Sequence, residues 1–384
     1  MALRVRQLES LEEIAGLEPA WERLARANAT RTVFLSYAWL TTWWRHFGEA
    51  GRPQFLLFER QGELVGAAPL LADRARLLGR PAHRVRFAAN GESQRCDFLA
   101  LPEERDAVAA ALADRLLRDD MPWDVLELGP TPEESENLAA LRRELSARRI
   151  PLGHVRSLAS PYLPVRSGWE AALAALPHGL RHTIAQCTRR LERQGRSAFI
   201  LAGQADGDEL VDRMFWVAES SWQGEAGRSL ASRAAVRAFY RDLWRAAGER
   251  GWQAGGVLMI DDEPAAFCYC LDYGDTVSFL KTGYRRQHYR YAPGVLLLAR
   301  LLQRAFELGR QECDLLGDAD PYKLRWTQHL RQHIRLVAYG RSARARAAYV
   351  GRFIVRPRLA RIPALRRIKR MLVRRPGRAR ARTG

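Results

Sequence analysis

The chain has 384 residues, enough for two domains, and its 47% hydrophobic and 27% charged residues exclude a disordered protein. Its net charge of +19 suggests nucleic-acid binding until the charges are located along the chain. Of the 62 basic residues, sixteen lie in 341–384 and four in 321–340, whereas no acidic residue follows Asp320. Residues 1–320 therefore carry 42 basic and 43 acidic residues, and we expect no nucleic-acid partner for that part of the chain.

The N-terminal sequence MALRVRQLESLEEIAGLEP contains no apolar segment typical of a signal peptide. No stretch of the chain approaches the roughly 20 apolar residues that span a bilayer. We therefore expect a cytoplasmic protein.

Residues 1–163 alternate helix and strand patterns, which predicts an α/β domain. An aromatic-rich helix is expected over 36–48, followed by a hairpin with Gly62 in its turn. The other expected elements of this half are strands at 84–88 and 96–101, a helix at 103–118, a strand at 123–129 and a helix at 133–148.

Residues 164–340 repeat this plan. Helices are expected at 177–195, 208–222 and 231–249, then a hairpin around DDEP, a strand at 276–284, a helix at about 294–309, a strand at 312–317, a short helix near Tyr322 and a closing strand at 335–340. Each half ends its apolar strand with a glycine, Gly129 or Gly317. We predict two similar α/β domains with mixed sheets, although short patterns of this kind also coincide by chance.

The segment before the helix at 294 is rich in arginine and tyrosine and ends in Pro293-Gly294. The first amides of a helix have no intrahelical acceptors and lie at the positive end of its dipole, so they bind phosphate well. The corresponding helix of the first half begins with Glu103, Glu104 and Asp106, which would repel a phosphate. This contrast assigns an anion site to the second half. The alternative is that Pro293-Gly294 only starts a helix and the arginines are solvated.

Several motifs in the second half occur in an order that resembles a known family. They are SSW at 220–222, the DDEPAAF hairpin, KTGY at 281–284, YAPG opening a helix, and D-L-L-G-x-x-x-x-Y-K-x-x-W at 314–326. Together they resemble the GNAT acyltransferases, and more closely the cellulose-biosynthesis (CelD/BcsL) type, which is related to the Fem-type aminoacyl transferases. The resemblance is best over 165–330. It implies tandem GNAT-like domains, 1–163 degenerate and 164–340 binding acyl-CoA, with acetyl-CoA or another acyl-CoA as co-substrate.

The resemblance also implies where acyl-CoA binds. The thioester carbonyl would lie between diverging strands, around Thr282, Gly283 and Tyr284 on one side and Asp314–Leu316 on the other. The turn into the helix would hold the diphosphate through residues Arg290, Tyr291, Ala292, Pro293, Gly294 and Val295.

Three residues are candidates for the chemistry of acyl transfer, which needs a base, an oxyanion stabiliser and a proton donor for the leaving thiolate. Asp314 is a carboxylate in an apolar strand, a setting that raises a pKa and suits a general base. It could equally be a structural acid paired with Arg325 or Lys323. Tyr322 could protonate the thiolate and Lys323 could stabilise the oxyanion, or both could belong to a surface turn.

Two further residues are candidates for the acceptor site. Lys281 lies in the apolar strand SFLKTGY, so its amine must pair with an acid or reach solvent. Trp222 could line an acceptor pocket, although core packing is the simpler interpretation. No spacing of histidine, cysteine and acidic residues predicts a metal site.

Residues 341–384 hold sixteen cations and no acidic residue. Ile362, Leu365, Ile368 and Leu372 recur at helical spacing among arginines, which is typical of a helix lying on an anionic membrane. A disordered basic tail and a nucleic-acid contact are the alternatives.

The sequence thus favours a transferase that moves an acyl group from CoA to an amine or hydroxyl. The resemblance implies a saccharide or cell-envelope precursor as acceptor. The alternatives are an aminoacyl-tRNA-dependent transferase of the Fem type and a non-catalytic scaffold that docks on membranes.

Overall fold

A computed structural model describes residues 3–8, 10, 12–118, 120–204, 207–221 and 233–359. The first half contains, in chain order, β1 (Arg4–Leu8), α1 (Glu18–Ala27), α2 (Tyr37–Phe47), β2 (Arg52–Arg60), β3 (Glu63–Leu77), β4 (Arg80–Phe87), β5 (Leu99–Ala100), α3 (Arg105–Leu116), β6 (Val125–Pro132), α4 (Glu136–Ala147) and β7 (Leu152–Pro164).

The second half contains α5 (Trp169–Ala175), α6 (His178–Gln194), β8 (Ser197–Leu201), α7 (Gly207–Glu219), α8 (Ala234–Gly248), β9 (Gly256–Ile260), β10 (Glu263–Tyr273), β11 (Thr276–Tyr284), α9 (Pro293–Glu307), β12 (Glu312–Asp314) and β13 (Leu330–Tyr339). A C-terminal helical segment follows, made of α10 (Ala343–Tyr349), a π-helical turn (Val350–Val355) and α11 (Arg356–Leu359).

Both predicted hairpins form, and their turns show why. Gln61 and Gly62 have φ of 54° and 84°, and Asp261 and Asp262 have φ of 53° and 62°. Positive φ at both central residues matches the right-handed twist of the flanking strands, and Gly, Asn and Asp tolerate it best. These two-residue turns join β2 to β3 and β9 to β10.

The strands form one mixed sheet in the order β1-β2-β3-β4-β6-β13-β7-β12-β11-β10-β9-β8, with β5 paired to β3. The series β1-α1-α2-β2-β3-β4-α3-β6 has the same order as β8-α7-α8-β9-β10-β11-α9-β12. In each series only the last pair of strands is parallel, β4 with β6 and β11 with β12. The chain is therefore a mixed α/β protein with a tandem arrangement.

The two halves exchange their last strands. β13, which the sequence predicted to close the sheet of the second half, lies between β6 and β7 of the first half. β7 in turn pairs with β12. Local patterning could not show this, because it predicts that a segment is a strand but not which neighbour it pairs with.

One hydrophobic core joins the halves, since α1 and α2 of the first half pack with α7 and α8 of the second. Trp39 on α2 contacts Phe239 on α8 edge-to-face, with ring centroids 5.2 Å apart. Separate cores lie beneath α3 and α4 and beneath α6 and α9. The halves are thus packed against each other as well as joined through the sheet.

Among the residues that the structure describes, no helix is both long and apolar enough to cross a membrane.

Candidate active site

A gap opens between β11 and β12 at the centre of the second half. The two strands pair only from Thr276–Ser278 to Glu312–Asp314. β12 ends there, whereas β11 continues to Tyr284 and stays paired with β10 on its other side. Beyond Ser278, the edge of β11 on the β12 side has no neighbouring strand, so its main-chain groups face the gap. Thr282, Gly283 and Tyr284 lie along this edge, where the family resemblance implies that the thioester binds.

The first turn of α9 borders the same gap. Ala292 adopts a left-handed conformation (φ 46°, ψ 48°) and directs the chain into the helix, which Pro293 begins. The first turn carries no acidic residue. Pro293 has no amide proton, so Gly294 has the first amide of the helix. The next amide, that of Val295, already donates to the Ala292 carbonyl at 2.9 Å.

Tyr284 packs against this turn. A Cβ atom added at Gly294 would lie 3.5 Å from the Tyr284 ring, which is ordinary van der Waals contact. The protein itself therefore leaves room for a small side chain at Gly294, so any need for glycine there comes from a ligand. Gly294 is half-buried.

The arginines before α9 have different environments. Arg285 forms an ion pair with Glu263 at 2.6 Å and stacks on Trp216. Arg290 is exposed, lies over the ring of the buried Tyr291, and has no ion pair within the described residues. Of these two arginines, Arg290 is the one available to an anionic ligand at α9.

Tyr322 reaches the gap from the loop after β12. Its hydroxyl lies beside the Thr282 side chain, although half of Tyr322 is exposed. Burial raises the pKa of this hydroxyl to about 12, and the nearby Thr282 side chain only partly offsets the effect. The group is therefore a neutral proton donor at ordinary pH, located next to β11 beside the expected thioester.

Asp314 is fully buried and occupied by partners from both halves. It forms ion pairs with Arg95 and, at 3.7 Å, with Arg331, and it accepts the Leu316 amide at 3.0 Å. The partners considered from sequence were Arg325 and Lys323, and Arg95 was missed because it belongs to the first half. These contacts favour a structural acid, and a role as general base stays a prediction.

Lys323 holds the loop between β12 and β13. Its amine donates to the carbonyls of Leu316 at 2.7 Å and Asp318 at 3.3 Å, and pairs with Asp320 at 3.3 Å. Burial lowers its pKa, although Asp320 opposes this. The amine thus fixes the turn that follows Asp314, and oxyanion stabilisation by Lys323 stays a prediction.

From sequence, the Lys281 amine was expected either to pair with an acid or to reach solvent, and the structure shows that it pairs with an acid. The partner is Glu92 of the first half, at 2.9 Å. The buried Glu92 also accepts the Tyr240 hydroxyl at 2.9 Å and pairs with Arg233 at 3.3 Å. Lys281 faces Tyr269 across the β11–β10 ladder, whereas Thr282 faces Cys268. Since Tyr269 belongs to the core of α7 and α8 and Cys268 to the core of α6 and α9, Lys281 and Tyr322 act on opposite faces of the sheet.

One loop of the first half contacts this site at three points, and the sequence did not predict it. Glu92 contacts Lys281, Gln94 accepts the Gly317 amide, and Arg95 pairs with Asp314. The signal was available: the connection from β4 to α3 is longer than that from β11 to α9 and contains the polar run NGESQRCD. Polar side chains in a long connection are often positioned for function.

Trp222 lies outside the described residues. Within the described parts of the chain, no group of three or more His, Cys, Asp or Glu side chains is placed to hold a metal ion.

Comparison with known protein families gives a match within the second half. Residues 178–324 match the family described as "Acetyltransferase (GNAT) domain". The search of curated proteins gives no match.

Solved structures with similar folds cover most of this chain. FemX is 10% identical with a TM-score of 0.58, over 86% of this chain and 96% of its own. The C-terminal domain of a putative lysylphosphatidylglycerol synthetase from Agrobacterium fabrum is 11% identical with a TM-score of 0.53, over 87% and 94%. A conserved protein of unknown function from Bacteroides thetaiotaomicron is 10% identical with a TM-score of 0.54, over 88% and 100%. At these identities the similarity concerns the fold alone.

Proposed function

We propose that the protein is a GNAT-type acyltransferase that transfers an acetyl group from acetyl-CoA to a saccharide, because residues 178–324 match the GNAT acetyltransferase domain family. The acceptor atom is an amine or hydroxyl of an exopolysaccharide or cell-envelope precursor. The choice of a saccharide is supported by the motif order shared with the cellulose-biosynthesis type.

The observation that carries this proposal is the shared location of three groups. The open first turn of α9, the free edge of β11 and the Tyr322 hydroxyl all border one gap. A CoA diphosphate on the Gly294 amide and Arg290 would direct the thioester along β11. Free N–H groups of that edge would stabilise the oxyanion.

The bonds formed and broken follow from this placement. The acceptor atom attacks the thioester carbonyl, the new C–N or C–O bond forms and the C–S bond breaks. Tyr322 then gives its proton to the CoA thiolate. The proton of the acceptor passes to water, from which Tyr322 regains a proton after each turnover. Asp314 and Lys323 hold the loop that carries Tyr322.

The test is a thiol-release assay with acetyl-CoA and a panel of amino sugars and sugar alcohols. We expect acceptor-dependent release of free CoA by the wild type, and a loss of at least about a hundredfold in Tyr322→Phe. If no acceptor or acetyl-CoA concentration gives turnover, while charged tRNA serves as donor, the Fem-type alternative replaces this proposal.

A further inference from the structure

The first half has a cavity beside the strand gap that corresponds to the gap between β11 and β12. β4 and β6 pair only from Arg84–Arg86 to Val125–Glu127, just as β11 and β12 pair over three residues. Beyond that point a cavity of about 410 Å³ opens between the ends of β4 and β6 and strand β13. This volume lies in the range of small-molecule sites.

The cavity lies on the sheet face opposite α3. Val85 and Leu126 belong to the core beneath α3 and α4, whereas Arg84, Arg86 and Glu127, their strand neighbours, line the cavity. The acidic first turn of α3 is therefore on the other face, and Glu104 there is paired with Arg60 at 2.7 Å. A ligand of this cavity would not meet those carboxylates.

The charged groups at the cavity have an excess of positive charge. Arg84 and Arg86 share Asp73, and Arg84 also contacts Glu127 at 3.2 Å. Arg352 of the C-terminal segment approaches Glu127 at 3.9 Å. With Arg335 on the wall, these four arginines face two carboxylates, an excess of two positive charges.

Arg335 supplies one of the two uncompensated charges. It is partly buried, lines the cavity, and forms no ion pair within the described residues. It lies at an irregularity of β13, where pairing with β6 jumps from Thr131 to Leu128. Such bulges re-aim side chains.

Gly129 makes this geometry possible. Its φ is 142°, and a Cβ atom there would lie 2.6 Å from the Ile334 carbonyl oxygen and 3.0 Å from the Cα of Arg335. The close approach of the two backbones places Arg335 at the cavity wall.

The cavity is also linked to the second half. Gln94 lines it and accepts the Gly317 amide in the loop that follows Asp314. Ser157 and Leu158 line the opposite side, and the next residue, Ala159, donates its amide to Asp318 at 3.2 Å. The loop that carries Tyr322 therefore abuts the cavity wall.

We propose that this first-half cavity binds a phosphate group of the acceptor through Arg335, with Arg84 and Arg86 beside it. The inference rests on the proposed function and narrows its acceptor to phosphorylated saccharides. The phosphate belongs to a soluble sugar phosphate or to a lipid-linked sugar, and the recognition chemistry is the same.

The test measures phosphate binding apart from the CoA site. Inorganic pyrophosphate is titrated by calorimetry into wild-type protein saturated with CoA, and into Gly294→Asp protein, whose α9 site is blocked. We expect binding in both, weakened about tenfold or more by Arg335→Gln. Phosphatidylcholine vesicles containing phosphatidic acid form a second arm, and an Arg335→Gln effect confined to one arm assigns the soluble or the lipid source.

The matched control is Arg156→Gln. Arg156 is exposed on the adjacent strand and pairs with Ile334, on the sheet face away from the cavity. The Arg156→Gln protein should bind both probes like the wild type. The Arg335→Gln protein should unfold at the same temperature as the wild type. If Arg335→Gln and Arg156→Gln bind both probes equally well, the inference is wrong, even where CoA binding itself is intact.

Discussion

At the scale of single residues, the proposed chemistry depends on Tyr322, whose hydroxyl has a raised pKa and donates a proton to the leaving thiolate. Burial of the Tyr322 hydroxyl raises its pKa to about 12, so the neutral form predominates at every pH where the protein would be assayed. A raised pKa means that loss of this proton would reduce activity only as pH approaches 12. The fraction of Tyr322 that carries its hydroxyl proton therefore does not change with pH near neutrality.

We predict that Tyr322→Phe lowers kcat by about a hundredfold to ten-thousandfold and leaves the Kd of acetyl-CoA within about twofold. The reason is that the hydroxyl acts on the leaving thiolate rather than on the bound diphosphate. Stopped-flow thiol release and equilibrium binding measure the two quantities. A variant with wild-type kcat would show that another group or water protonates the thiolate.

A second residue-scale prediction concerns the ion pair between the halves. Glu92→Gln and Lys281→Met should each lower the free energy of unfolding by roughly 1–3 kcal/mol, because each leaves a poorly solvated charge without its partner. The double variant should lose about 1 kcal/mol less than the sum. Urea denaturation of the four proteins gives the coupling energy.

The control for this cycle is Arg23–Glu63, an ion pair of nearly the same length, 2.8 Å against 2.9 Å. Its side chains are 51% and 71% exposed, whereas Glu92 is 7% exposed. We expect a coupling below about 0.5 kcal/mol for the exposed pair. Equal couplings for the two pairs would mean that Glu92 does not join the halves energetically.

At the scale of elements, the sequence predicted what periodicity and turn chemistry determine. The helix at 37–47, both hairpins, strand β11 and the start of α9 all lie within a residue or a few of their predicted positions. The exchange of β7 and β13 could not be predicted, because pairing depends on distant partners. For the same reason the sequence required a partner for Lys281 but could not identify Glu92.

Helix α9 carries the element-scale prediction. Gly294→Ala fits the protein, since the added Cβ meets the Tyr284 ring at 3.5 Å, whereas Gly294→Asp places a carboxylate beside the phosphate. We expect the aspartate variant to bind CoA at least about tenfold more weakly than the alanine variant. Calorimetry with CoA measures both, and the same Kd for the two variants would contradict binding at this turn.

At the scale of the whole molecule, the C-terminal residues divide into a packed part and a part outside the described residues. Ala345 and Ala348 are buried against β13, and the Phe353 ring lies against Gly153 of β7. The segment predicted as a tail from residue 341 thus begins as a helix packed on the sheet. The spaced Ile362, Leu365, Ile368 and Leu372 lie outside the described residues.

We propose that this C-terminal region binds anionic membranes. Val350, Val355 and Leu359 are each more than 40% exposed, and exposed Arg356 and Arg358 lie between the last two. Truncation after Gly340 should abolish co-sedimentation with phosphatidylglycerol vesicles at low salt. Truncation after Leu359, which keeps these exposed residues, should weaken it and change the unfolding temperature less. Truncation after Gly340 should also lower that temperature, because it uncovers the core around Tyr339. If the protein truncated after Gly340 sediments with the vesicles as fully as the wild type, the C-terminal region does not bind membranes.

The most direct test of the whole account is thermal unfolding of the full chain with acetyl-CoA, free CoA, ATP and NAD. Acetyl-CoA at about 100 times its Kd should stabilise the protein by ~2.7 kcal/mol. Free CoA should also stabilise it, ATP and NAD should stabilise it less than either CoA species does, and Gly294→Asp should remove the CoA effect. An unfolding temperature that no CoA species raises would contradict the assignment of the α9 turn as the site of an acyl-CoA diphosphate.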